Sequence, residues 1–154
     1  MLFIDTREKP RAIEHIIDYL QQNMIEYDRT KLYIGDYQLA HKPLVVVDRK
    51  QNIAELAKNC TADHKRFKAE LERAAKIGAT IFVLIEQKTY TDRGDKKVVN
   101  QIDDLMLWSS PHTTIRGEQV YRILSSWCHK YPLRVEFCDR RSTGKRIMEI
   151  LRDG

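Results

Sequence analysis

The spacing of hydrophobic residues changes several times along the chain, and each change predicts an element. Leu2-Phe3-Ile4-Asp5 is a short apolar run, as a buried strand is. Pro10 suits a first helical turn, and Ile13, Ile16, Ile17, Leu20 and Met24 then recur at helical spacing, so a helix is expected over 10–24. From residue 25 the apolar positions approach alternation. This predicts one strand up to Ile34, a bend at Gly35 and a second short segment to about residue 40. His41-Lys42-Pro43 reads as a turn, and LVVVDRK (44–50) as a β-branched central strand. Helical spacing returns over 53–77, with a break near 59–63 where Thr61 or Asp63 can cap a second helix. Phe67, Leu71, Ala74 and Ala75 mark that helix's buried face, and Gly78 its end. Residues 80–86 read as a strand buried on both faces. The polar stretch 87–97 is expected to be a mobile loop turning at Arg93-Gly94. Helices are expected over 98–108 and 116–130, a strand over 133–138 and a last helix over 143–151.

The order β-α-β-β-β-α-β-α-α-β-α predicts a mixed α/β sheet covered on both faces. A length of 154 residues, with no linker, repeat or low-complexity tract, fits a single domain over 1–154. Hydrophobic residues at 42% and charged residues at 32% exclude a disordered chain, and the apolar runs are too short to span a membrane. The start MLFIDTREKP lacks a basic region followed by a long apolar run, so no signal peptide is expected. Cys60, Cys128 and Cys138 are odd in number and lack metal-finger or redox-motif spacing. They fit core positions in a reducing, intracellular compartment. The net charge of +5 permits a polyanionic partner without requiring one.

Carboxylates are poor strand formers, yet Asp36 and Asp48, with Lys50, flank the apolar run Leu44–Val47. Alternation along a strand points Asp48 and Lys50 to one face and Arg49 to the other. If 33–50 fold as a hairpin-like unit, Asp36 approaches Asp48. Two carboxylates so close repel, and one pKa rises unless a cation intervenes. A hard divalent ion held by one or two carboxylates would answer that repulsion, with Lys50 beside it to hold a phosphate oxygen or the attacking water. The chemistry implied is metal-assisted phosphodiester hydrolysis. The competing reading takes Asp36 as a turn residue after Gly35 and Asp48-Arg49-Lys50 as a solvated strand end. These residues alone leave both readings open.

Further motifs stand in order around this pair. Asp5-Thr6-Arg7-Glu8 precedes the first helix, and Gly35-Asp36-Tyr37 and Asp48-Arg49-Lys50 follow. RFKAEL begins at Arg66, and VLIE at Val83. Together they resemble the XPF-type nuclease domain of the XPF/Hef-like excision-repair family, within the restriction-endonuclease-like superfamily that carries the PD-(D/E)xK signature. The likeness covers most of residues 2–150. It implies a restriction-endonuclease-like mixed sheet flanked by helices, and a Mg2+- or Mn2+-dependent DNA endonuclease acting on branched, flapped or junction DNA in repair or recombination. It further implies that Asp36 and Asp48 are metal ligands, with a backbone carbonyl near Arg49 as a further candidate, and that Lys50 is the catalytic lysine. Asp5 and Arg7 would line the same cleft, with Arg7 near a phosphate or holding a carboxylate. Arg66 would touch the DNA backbone. Its competing reading is a solvated helix charge, and that of Arg7 is a structural ion pair with Asp5 or Glu8. Family members work as dimers, so a homodimer is expected, through the region 98–130.

Three departures qualify the likeness. The family's glutamate is replaced by Asp48, one methylene shorter. The family's aspartate four residues after the lysine falls at Ala54, with Glu55 next to it as a substitute. The tandem helix-hairpin-helix module usual in the family's eukaryotic and archaeal members is expected to be absent or supplied by a partner protein. The alternatives are a catalytically inactive DNA-binding or scaffold module of the same fold, or a restriction-type nuclease.

Weaker signals are read conservatively. Glu86 is taken as a plain strand end and Asp103-Asp104 as a helix face. The five histidines share no ligand spacing, and Trp108, Trp127, Tyr121 and Tyr131 are taken as core. Lys88, Arg93, Lys96 and Lys97 either track phosphates or are simply solvated.

Overall fold

The apolar N-terminal run forms β1 (Leu2–Asp5) in a computed structural model that describes residues 1–154. A 3-10 turn at Pro10–Ile13 leads into α1 (Glu14–Gln22), and β2 (Tyr27–Thr30), β3 (Tyr37–Leu39) and β4 (Lys42–Lys50) follow. Next come α2 (Ile53–Cys60), α3 (His64–Ile77) and β5 (Thr80–Ile85), then β6 (Thr89–Asp92) and β7 (Asp95–Val98). The chain closes with α4 (Gly117–Lys130), β8 (Leu133–Phe137) and α5 (Thr143–Asp153).

Six strands make one mixed sheet in the order β2-β1-β3-β4-β5-β8. β1 runs parallel to β2 and antiparallel to β3, β3 is antiparallel to β4, and β4, β5 and β8 are mutually parallel. The interior strands alternate between two cores. Val46, Ile81 and Val83 face Leu56, Phe67, Leu71 and Leu124, from α2, α3 and α4. Val47 and Leu84 face Ile16, Leu20, Ile147 and Leu151, from α1 and α5. Helices on both faces are what a sheet with β-branched interior strands requires. Trp108 and Trp127 are buried as expected, and all three cysteines are free, with Cys60 and Cys138 buried. No helix is long and apolar enough to cross a membrane.

Four local expectations are corrected. The strand expected to reach Ile34 stops at Thr30, because β2 pairs only with β1 and that ladder ends at Asp5↔Thr30. His41-Lys42-Pro43 is not wholly a turn, since Lys42 and Pro43 open β4. The mobile loop expected over 87–97 is a β-hairpin, β6 paired with β7. Arg93 and Gly94 both take positive φ, as a two-residue hairpin turn of type I′ requires. The helix expected over 98–108 is only a 3-10 turn, Ile102–Leu105. Leu105 and Trp108 are buried as anchors, and the Asp104 carboxylate accepts from the Asn100 and Gln101 amides, so Asp103-Asp104 caps a turn and does not line a helix face.

Gly35 sets where the chain can enter β3. Its φ is +70°, and a Cβ there would lie 3.0 Å from Val46 Cβ. Both facts exclude a side chain without displacement of β4. Gly35→Ala is expected to cost about 1–3 kcal/mol in urea unfolding, whereas the same change at Gly94, where a Cβ meets nothing within 4 Å, should cost less.

Candidate metal and phosphate site

Asp36 lies one residue before β3 and extends its ladder. Its amide donates to the Val47 carbonyl at 2.8 Å, and its own carbonyl accepts from the Asp5 amide at 2.8 Å. Its Oδ2 accepts from the Arg49 amide, also at 2.8 Å. The carboxylate thus stands where a strand carbonyl would, and Asp36 is locked against Asp48. On β4, Asp48 and Lys50 share the face that meets α2 and α3. Lys50 Nζ lies 3.2 Å from Asp48 Oδ2, donates to Asn59 Oδ1 at 3.1 Å, and sits 5.1 Å above the Phe67 ring. The solvated-strand-end reading fails, since Asp48, Arg49 and Lys50 are all buried.

Arg49 turns to the other face, as alternation dictates. Its Nε and Nη2 donate to the two Glu8 oxygens at 2.8 Å each, and Nη1 to Glu86 Oε1 at 2.6 Å. Glu86 Oε2 lies 2.7 Å from His15 Nε2. Glu86 is therefore not a plain strand end but a buried counter-ion. Its neighbours do not mark it in the sequence, because its partners stand 37 and 71 positions away.

The remaining expected residues divide. Arg7 lines the cleft over Asp36 and Asp48, but Asp5 does not. Asp5 is fully buried and accepts from Arg7 Nε, the Arg7 amide and, at 2.8 Å, the Leu32 amide. Its work is to hold Arg7 and the loop leading to Asp36. Glu55 lies at the cleft wall, yet its Oε2 accepts from the Gln51 amide at 2.7 Å while Asn52 caps the Glu55 amide. That reciprocal cap ties it to the start of α2. Arg66 reaches the cleft mouth, 80% exposed, with only Asp63 beside it at 3.3 Å. Sequence reasoning missed Glu70, Asn59 and Arg73. Helical spacing carries the signal: Glu70 lies three residues after Phe67 and four before Ala74, on the face those residues bury.

The electrostatics follow from this crowding. Burial, then the Asp48 and Glu8 charges, push the Asp36 carboxyl well above the usual carboxylate range. For Asp48 burial acts in the same direction, but the Lys50 ammonium and hydrogen bonds from Asp36, Lys50 and Glu70 outweigh it and hold Asp48 low. Burial would lower Lys50, but Asp48 and Asp36 keep it raised and charged. Glu70 is raised to about 7, first by burial and then by Asp48. Asp48 is thus the acid held low between two neighbours, Asp36 and Glu70, that are pushed high.

The donor set suits a hard cation. It is all oxygen, and Glu70 Oε1 is buried with no hydrogen-bond partner in the protein. No three acidic, histidine or cysteine side chains by themselves enclose an ion. A hard cation such as Mg2+ takes one or two carboxylates and keeps several waters. The cleft encloses about 610 Å³, and Arg7, Lys9, Arg66 and Arg73 line it together with its acids. A phosphate beside these carboxylates would find positive charge on the rim.

The family model of the ERCC4 domain matches residues 4–149. Among solved structures, XPF from Aeropyrum pernix superimposes with a TM-score of 0.66 at 18% identity, over 98% of this chain and 59% of that one. XPF from Aeropyrum pernix in complex with DNA gives 0.64 at 18% identity, over 98% of this chain and 62% of that one. The chain thus spans about 60% of those chains' length. At that identity the likeness speaks for a shared fold, a six-stranded mixed sheet flanked by helices. A search of curated proteins gives no match.

Glu70 supplies a test of the electrostatics without metal. Its pKa rises from 4.5 to about 7 on folding, so the native state holds the extra proton in that interval. Its stabilising contribution is present below about pH 4.5 and is lost as pH rises to about 7. In EDTA, urea unfolding of the parent protein should show this loss on top of that from the raised Asp36 carboxyl, and Glu70→Gln should keep only the latter. The stability difference between the two should shift by about 1–3 kcal/mol across the interval.

Proposed function

The chain belongs to the ERCC4 domain family, and from that premise we propose that it is a Mg2+- or Mn2+-dependent DNA endonuclease that cuts branched, flapped or junction DNA. One observation carries the reading: Asp36, Asp48 and Lys50 converge on one face of the sheet at the floor of an arginine-rimmed cleft. The DNA seen with the Aeropyrum pernix protein supports a nucleic acid as the occupant of such a cleft.

Asp36 and Asp48 would hold the cation, with Glu70 as the further acid beside Asp48. When bound, the cation supplies Lewis-acid stabilisation of the charge that develops on phosphorus and lowers the pKa of water. Lys50, kept charged by Asp48 and aimed by Asn59, donates to a phosphate oxygen or orients the attacking water. Arg7, steadied by Asp5, and Arg66 hold neighbouring phosphates. In-line attack would expel the 3′-oxygen and leave a 5′-phosphate. The short Asp48 side chain is compatible with this arrangement because Asp36 is drawn close by its bond to the Arg49 amide.

The finer properties belong to the same proposal. The chain acts as a homodimer through 98–130, where Met106 and Leu107 are exposed, and a partner protein adds DNA-structure recognition. Its setting is intracellular DNA repair or recombination.

Cleavage of fork, flap, junction and linear substrates, followed on gels, tests this reading. Cutting should require Mg2+ or Mn2+, stop in EDTA, and fall by about 100-fold or more in Asp36→Asn and in Lys50→Ala. Tight DNA binding without cutting in either metal would establish an inactive binding module. Cutting of plain duplex at one sequence would establish a restriction-type enzyme.

A further inference from the structure

Tyr33 is an exposed aromatic ring on a loop that is otherwise fixed. The residues on either side, Leu32 and Ile34, are buried, whereas Tyr33 is 61% exposed. The Leu32 amide is held by Asp5 Oδ1 at 2.8 Å, and Gly35 and Asp36 lock the far end against β4. The ring is therefore presented outward from a backbone held on both sides.

Arg73 stands over this ring, its guanidinium carbon 5.7 Å from the centroid. The same guanidinium lies 4.0 Å from Glu70 Oε2 and lines the cleft. Arg73 thus joins the exposed ring to the acidic floor. Asp36 follows Tyr33 by three positions, at most about 11 Å of chain, or roughly three steps of a stacked nucleotide strand. An aromatic face next to a cation, that close to a phosphate site, is the chemistry that binds a nucleobase by stacking. A base inside a duplex has both faces covered, which favours an unpaired one for the position.

We propose that Tyr33 and Arg73 form a subsite for an unpaired nucleobase of single-stranded DNA, beside the phosphate site. The inference rests on the DNA-cleavage reading and narrows it: the strand is cut next to unpaired nucleotides, and Tyr33 sets that preference.

The test uses the full chain in EDTA and single strands carrying 2-aminopurine, whose fluorescence is quenched when it stacks. The parent protein and Tyr33→Phe should bind and quench the probe. Tyr33→Ala should lose about 5- to 150-fold in single-strand affinity, lose the quenching, and change duplex affinity by less than about twofold. Because Tyr33 is exposed, its unfolding midpoint should match the parent's, which separates loss of stacking from loss of fold. Three results would overturn the proposal: no single-strand binding by the parent, unchanged binding by Tyr33→Ala, or equal losses on single strand and duplex. Cleavage read alongside keeps the two readings distinct. A protein that cuts DNA while its single-strand binding ignores Tyr33 overturns the subsite alone. One that cuts nothing yet shows Tyr33-dependent quenching supports the subsite and overturns the nuclease.

Discussion

The Arg49 amide donates to Asp36 Oδ2, and the arrangement of the site depends on that bond. A backbone donor on an interior strand must be satisfied. Here a side-chain carboxylate does it, at the point where β3 stops pairing with β4. The bond brings a second acid against Asp48, which electrostatics alone would drive away. The repulsion is answered locally by Lys50 on one side and by the raised pKa of Asp36 and Glu70 on the other. Ordinary ladder geometry therefore delivers a crowded set of oxygen donors that gains from a cation.

The opposite face bears the cost of placing Arg49 in the interior. Its guanidinium is buried and saturated by Glu8 and Glu86, whose hydrogen bonds raise its pKa against the opposing effect of burial. A buried ion network of this kind contributes little net stability but is damaging to break, because each orphaned charge stays desolvated. It fixes the rotation of β4 about its own axis. With Arg49 anchored on one side, Asp48 and Lys50 have only the other side to face.

Local patterns in the sequence were enough for the sheet and the floor of the site. The alternation in 44–50 separated Asp48 and Lys50 from Arg49, and the bend at Gly35 brought Asp36 across, as the structure shows. What local patterns missed depends on partners distant in the chain. Glu86 looked like a strand end because Arg49 and His15 meet it only after folding. Asp5 looked like a cleft residue because its motif does not reveal that the Leu32 amide would claim its second oxygen. Glu70 was hidden among the charges of α3, whose polar character masked one acid on the buried face. The hairpin of β6 and β7 was read as a loop because its strands are polar and its turn has Arg where Asn or Asp is usual.

β1 sits between β2 and β3, both of which come later in the chain. β1 therefore waits for its first neighbour until Tyr27–Thr30 and for its second until Tyr37–Leu39. Its Asp5 then receives the Leu32 amide, and its own amide reaches Asp36. Until β5 has been added, the other edge of β4 also lacks its parallel neighbour. During synthesis, then, the edge that stays open for longest is that of β5, which waits for β8 at Leu133–Phe137, and chaperone demand should be concentrated there.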